Sequence, residues 1–142
     1  MRLGFFPICP IRKNNQCFAK KHNLSINQVP ICEISNLDSV KKLFKKNHDA
    51  HAIISCISSR TGLKKDTWDV DFALNMHLLN GAKFAGIKKF IYLSAICVQV
   101  PKLNFQYAKL AFEKHNIKSV VYRPFSGYGE DQDDSYPFPG IC

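Results

Sequence analysis

Glycine is scarce where a nucleotide would most need it: Gly4 is the one glycine before Gly62 in this 142-residue chain. A G-x-x-G-x-x-G run near the N-terminus is therefore excluded, and with it the tight strand-to-helix turn whose backbone N–H groups receive a diphosphate. Six cysteines (Cys9, Cys17, Cys32, Cys56, Cys97, Cys142) form no C-x-x-C pair. That spacing argues against a zinc site, any other metal centre and a disulfide framework, and for a reducing compartment. No apolar run approaches the roughly 20 residues of a membrane span, so no integral membrane segment is expected. Acids are also few. Eleven Asp and Glu stand against 20 Lys and Arg, a formal charge of +9, and none of them lies in the first 32 residues.

The excess charge does not read as a nucleic-acid surface. The lysines come as scattered pairs, Lys20/Lys21, Lys41/Lys42, Lys45/Lys46, Lys64/Lys65 and Lys88/Lys89, as on solvated helix faces, and an anionic small molecule is the better-suited partner. An acid-free, basic N-terminus also fits an organellar leader. Pro7, Pro10 and Pro30 and the single Ser25 in that stretch weigh against it. The expected location is cytoplasmic, with the chloroplast as the alternative for a plastid-bearing host. An apolar fraction of 46% supports a folded domain.

The patterning alternates between strand and helix. Val29–Ile34 reads as a short strand, and Ser35 or Asn36 caps a helix over Leu37–Lys46 in which Leu37, Val40, Leu43 and Phe44 recur at helical spacing. Ala52–Ile57 is apolar without alternation, the mark of a strand covered on both faces. A polar loop, Ser58–Lys65, precedes a long helix that opens at Asp66 or Thr67 and stops before Gly86. Phe90–Ala95 is the next strand, Leu103–His115 the next helix, and Ser119–Tyr122 a last strand stopped by Pro124. This order predicts an α/β fold: a partial doubly wound parallel sheet with helices on both faces, its first glycine-rich βα unit degenerate or missing. Residues 29–125 form that domain, residues 1–28 are poorly defined, and residues 126–142 are an irregular acidic tail with Glu130, Asp131, Asp133 and Asp134. In such a sheet the ligand lies beyond the carboxyl ends of the strands, here Ile34–Ser35, Ile57–Arg60, Ser94–Gln99 and Arg123–Phe125.

Two segments carry a family resemblance: ISCISSRTGLKKDTWDVDF (54–72) and KKFIYLSAICVQVPKLNFQYAKLAFE (88–113). On them the chain resembles the atypical, extended short-chain dehydrogenase/reductases of the Rossmann superfamily, and within these the divinyl chlorophyllide a 8-vinyl-reductase family. The resemblance implies NADPH as cofactor, a chlorophyllide-type macrocycle as small-molecule substrate, and reduction of its 8-vinyl group to ethyl. It places Lys109 and Ser94 at the catalytic end. It assigns Glu33, Ser58, Ser59, Arg60 and again Lys109 to cofactor binding, Glu33 toward the adenine and the serines toward ribose and pyrophosphate. In the wider superfamily a Tyr-x-x-x-Lys pair supplies the proton, the lysine's charge easing its release. Here Phe105 stands four residues before Lys109, so the usual acid is gone, as it is in the reductase family. Tyr107, two residues from Lys109, faces elsewhere on a helix. His77 replaces a usual asparagine, and Trp68 and Phe72 read as helix packing or as a platform for the macrocycle.

The tail RPFSGYGEDQDDSYPFPGIC (123–142) instead resembles nucleotide-sugar epimerases and dehydratases, through its R-x-x-x-x-Y-G motif. Three readings stay open: an NADPH-dependent vinyl reductase, an NAD-dependent nucleotide-sugar enzyme, and a non-catalytic remnant of the fold. The missing glycine turn makes a fragment with little activity of its own the expected form.

Overall fold

Helix α1 (Leu37–Lys46) begins where the sequence places it, because Asn36 satisfies the orphan amides of its first turn. Asn36 Oδ1 accepts from Asp38 N at 2.9 Å and Ser39 N at 3.1 Å, a cap contributing about 1 kcal/mol. Asp38 in the first turn and Lys45 and Lys46 in the last complement the helix dipole. The structure is a computed structural model that describes residues 4, 6–13, 28–114 and 120–123. The acidic tail, residues 126–142, lies outside them.

The expected strand at Val29–Ile34 contracts to one parallel bridge, between Ile31 and Ile11. Pro30 explains the contraction, since a proline offers no N–H to a ladder. Its carbonyl still accepts from Ile11 N at 3.0 Å, and Cys32 N donates to Ile11 O at 3.0 Å. The N-terminal residues around Ile11 thus run beside this segment, a pairing their composition did not announce.

Among the described residues three strands form a sheet: β1 (Ile53–Ser55), β2 (Phe90–Leu93) and β3 (Val120–Tyr122). They are parallel in the order β1-β2-β3, with Ile53 opposite Phe90, Ser55 opposite Tyr92, and Leu93 opposite Tyr122. The crossover from β1 to β2 is one continuous helical run: α2 (Lys64–Thr67), a π-helical segment (Trp68–Leu74) and α3 (Asn75–Ala85). Gly86 ends it at φ 74°, where its N–H donates to Lys83 O and that of Ile87 to Ala82 O. That left-handed cap is why glycine stands there. Helix α4 (Asn104–Glu113) connects β2 to β3, and Gln106 Oε1 closes its first turn by accepting from Lys102 N at 2.6 Å and Leu103 N at 2.9 Å. The α/β class and parallel topology are those the alternating pattern implies, and the helix bounds fall within two residues of expectation. The π-helical interruption is new.

Side chains of one sheet face, Ile53, Phe90, Tyr92 and Val121, pack with Leu78, Leu79, Ala82 and Phe112 into a single core. The Tyr92 and Phe112 rings lie 4.4 Å apart between centroids and both are fully buried. Each such side chain contributes about 1.5–3 kcal/mol by leaving water. The other face is different. Ile54 is 66% exposed, Val120 65% and Tyr122 59%. Ala52–Ile57, read as a strand covered on both faces, is covered on one by the described residues.

Helix α1 reaches the core only by lying close against α3 at Gly81. A Cβ there would sit 2.6 Å from Val40 Cγ1 and 3.1 Å from Phe44 Cδ2. Val40 is fully buried and β-branched, so it has little room to rotate away. In Gly81→Ala the gain in helix propensity, about 1 kcal/mol, is outweighed by overpacking of up to about 3 kcal/mol. A loss of about 1–2 kcal/mol in urea-unfolding stability is expected; a more stable variant would show that the two helices separate freely.

Candidate functional site

The carboxyl ends of β1 and β2 meet the π-helical segment, and there a charged group lies buried inside the fold. Asp71 is fully buried, and its Oδ1 lies 3.1 Å from Lys109 Nζ; the lysine side chain is 6% exposed. The carboxylate also accepts from the Ser58 hydroxyl at 2.8 Å, through Oδ1, and from the Ser59 amide at 3.2 Å, through Oδ2. Lys109 Nζ in turn donates to Leu93 O at 3.3 Å and sits 5.1 Å over the Tyr92 ring. A carboxylate and an ammonium this deep repay their desolvation only with such a complete set of partners.

Several expected site residues are therefore brought together. Ser58, Ser59 and Lys109 share the one carboxylate. Ser94 directly follows Leu93, whose carbonyl Lys109 holds. The hydroxyls of Ser59 and Ser94 are buried without a hydrogen-bond partner. Two such orphans at the ends of adjacent strands are costly unless a ligand or water completes them. Arg60 lies one residue further along, on the exposed part of the loop. Glu33 stands apart from the cluster: it is exposed, and its Oε1 accepts from Ser35 Oγ at 2.7 Å. Among the described residues no group of three His, Cys, Asp or Glu could hold a metal ion, and no helix is long and apolar enough to cross a membrane.

Asp71 and Asn75 were missed from the sequence. Thr67, Asp71 and Asn75 recur every four residues along the crossover and all three are fully buried. Polar residues at that spacing beside Val70, Leu74 and Leu78 were the available signal. Asn75 fastens the helix to the sheet: its Oδ1 accepts from the Ser55 hydroxyl, and its Nδ2 donates to Asp71 O at 2.9 Å. His77 Nδ1 lies 2.9 Å from Ile34 O, so that nitrogen carries the proton and the histidine is a packing residue. Trp68 meets Phe72 edge to face at 5.6 Å.

The proton donor that Phe105 removes has no replacement in the described tyrosines nearest Lys109, Tyr107 and Tyr92. Tyr107 is 50% exposed while Lys109 is 5% exposed, so they occupy different helix faces as expected. Tyr92 is fully buried, and its hydroxyl donates to Asp71 O at 3.3 Å. Burial first, then the charges of Asp71 and Glu113, push its phenol well above the usual tyrosine range. The unfolded chain then loses that proton first, near pH 10, while the folded chain keeps it. This contribution to stability is whole below about pH 10 and falls above it by up to about 1.4 kcal/mol per pH unit. Tyr92→Phe is expected to cost at most about 1 kcal/mol at pH 7 and to flatten the decline between about pH 10 and 12. Urea unfolding at stepped pH measures both, and parallel wild-type and variant curves would contradict the assignment.

The chain is similar to several known proteins. The model of the NAD dependent epimerase/dehydratase family matches residues 8–106. The chain is 48% identical over 78 residues to the divinyl chlorophyllide a 8-vinyl-reductase, chloroplastic, of Zea mays, covering 55% of this chain and 20% of that protein. It is 35% identical over 107 residues to the enzyme of the same name from Arabidopsis thaliana, covering 75% and 24%. The chain thus spans about a quarter or less of the length of these relatives. Among solved structures it resembles the Bordetella bronchiseptica enzyme WbmH in complex with NAD+, at TM-score 0.57 and 15% identity over 72% of this chain and 43% of that one. It also resembles the Bacillus cereus enoyl-acyl carrier protein reductase with NADP+, at TM-score 0.50 and 13% identity over 75% and 51%. A Rossmann-like fold, a matched family model over most of the chain and plant relatives of reductase name converge: the chain belongs to the NAD dependent epimerase/dehydratase family.

Proposed function

We propose that this chain is the NADPH-binding part of a reductase of the divinyl chlorophyllide a 8-vinyl-reductase type, which converts a vinyl group on a chlorophyllide-type macrocycle to ethyl. The observation that carries the reading is the pair of unpartnered buried hydroxyls, Ser59 and Ser94, one on the loop held by Asp71 and one beside the Leu93 carbonyl that Lys109 holds. These are donors and acceptors of the kind that sugar hydroxyls and a carboxamide complete. Lys109 is the cation for the ribose hydroxyls, Ser94 the hydroxyl for the nicotinamide end, and Ser58, Ser59 and Arg60 line the approach to the phosphates. Glu33, further off, suits the adenine. NADPH supplies a hydride when bound. With Phe105 and Tyr92 unable to release a proton, the proton comes from water or from a group held at Ser94 or Lys109.

The fit is one-sided. The ribose end has its partners, whereas no glycine-rich turn stands in the N-terminal sequence to receive the pyrophosphate. Weak binding follows, with Kd of about 0.1–1 mM, or roughly −4 to −5.5 kcal/mol. The plant relatives are named as chloroplastic, which supports the plastid over the cytoplasm as location.

A second reading, a nucleotide-sugar enzyme using NAD, draws on the family model and on the R-x-x-x-x-Y-G motif from Arg123 to Gly129. Phe105 opposes it, because that chemistry needs the tyrosine. Calorimetric or NMR titration with NADPH and NAD separates the readings. NADPH is expected to bind more tightly than NAD, and Lys109→Met, isolated as folded protein, to lose at least about tenfold. Equal or tighter NAD binding would favour the sugar enzyme. No binding of either at 5 mM would leave the remnant reading and overturn this one.

A further inference from the structure

The carboxylate of Asp71 faces donors on both of its oxygens, and those donors come from different parts of the fold. Oδ1 takes Lys109 Nζ from α4 and the Ser58 hydroxyl; Oδ2 takes the Ser59 amide from the loop after β1. Asp71 itself is carried by the π-helical segment, and Asn75 and Tyr92 bind its backbone carbonyl. We propose that Asp71 is the positioning residue of this site: one carboxylate sets the place of Lys109 and of the Ser58–Ser59 loop relative to each other. Its role toward a cofactor rests on the reading above; the clamp does not.

The geometry supports this over a merely structural ion pair. A lysine ammonium has three donors. Two polar partners are seen, Asp71 Oδ1 and Leu93 O, with the ammonium also over the Tyr92 ring, so its donors are one more than its hydrogen-bond acceptors. The Ser59 backbone, held at Oδ2, fixes where the unpartnered Ser59 hydroxyl sits. Remove the carboxylate and each half of the site moves on its own. Asn is the telling substitution. An amide has one acceptor and one donor end, so in Asp71→Asn either Lys109 and Ser58 or the Ser59 N–H must face an NH2. Glu, with the same two oxygens one methylene further out, restores the acceptors on both sides.

The test needs no cofactor. In the free 142-residue chain, NMR reads the Lys109 ammonium resonance in protein labelled at lysine side chains, together with amide exchange at Ser59. Ile53 and Ile87, whose amides bond Lys89 O and Ala82 O, serve as controls. Asp71→Asn is expected to lose the ammonium resonance or to speed Ser59 exchange at least about tenfold, with the controls within about twofold. Asp71→Glu should recover most of the protection. Because Asp71→Asn leaves a buried ammonium without its counter-ion, the double variant Asp71→Asn/Lys109→Met is made as well. It removes the charge along with the clamp, so fast Ser59 exchange in a folded double variant supports the proposal. Unchanged Ser59 protection in either variant, or a loss shared equally by Ile53 and Ile87, overturns it. NADPH is then titrated into wild type. Failure of wild type to bind refutes the cofactor reading alone, and equal binding by Asp71→Asn and wild type refutes the positioning role at that site.

Discussion

Placing a carboxylate and an ammonium where water cannot reach them is the constraint around which this domain closes. Asp71 and Lys109 are 0% and 6% exposed in their side chains, and neither can stay there unless the other does. The pair therefore demands that the crossover helix, helix α4 and the ends of β1 and β2 arrive together. Hydrophobic packing could bring the same elements together in many slightly different ways. The ion pair, with Ser58, Ser59, Leu93 O and Asn75 around it, selects one of them.

This explains why the family resemblance was legible and its physical cause was not. Lys109 and Ser94 stand out in the sequence because the motif around them is distinctive, and the fold does bring the Lys109 ammonium to the end of β2, beside Ser94. Asp71 is set apart from Asp69 by nothing local in WDVDF. Its burial became visible only when the helix was laid on the sheet, since side-chain depth is a tertiary property. The helix over Leu37–Lys46 was read to the residue because its cap and apolar spacing are local. The strand at Val29–Ile34 was overread, because apolar content says nothing of whether a neighbour's hydrogen bonds can pass a proline. Glu33 belongs to that same segment, and its carboxylate is taken up with Ser35 rather than joined to the cluster.

The parts of the site are unequal in how well this chain furnishes them. Around Lys109 the partners are dense and the geometry defined. On the side where a diphosphate would lie, the sequence offers no run of glycines, and one face of the sheet keeps Ile54, Val120 and Tyr122 largely in contact with solvent. The relatives that share the motif are about three times as long. What the described residues build is a three-stranded parallel sheet with a buried lysine at its carboxyl end.

The π-helical segment, Trp68–Leu74, gives this fold an unexpected tolerance rule. A π turn carries more residues than an α turn for the same rise, so it acts as a local surplus of chain inside the crossover. Dropping one residue there would let the segment wind as ordinary α, with α3 still seated on α1 through Gly81 and the turns before the segment keeping their faces. Side chains inside the segment, Asp71 among them, would be re-aimed while the core stayed filled. Length variation in this helix is therefore a question of chemistry before it is one of folding, and alignments of related chains should place their gaps with Asp71 and Asn75 held fixed.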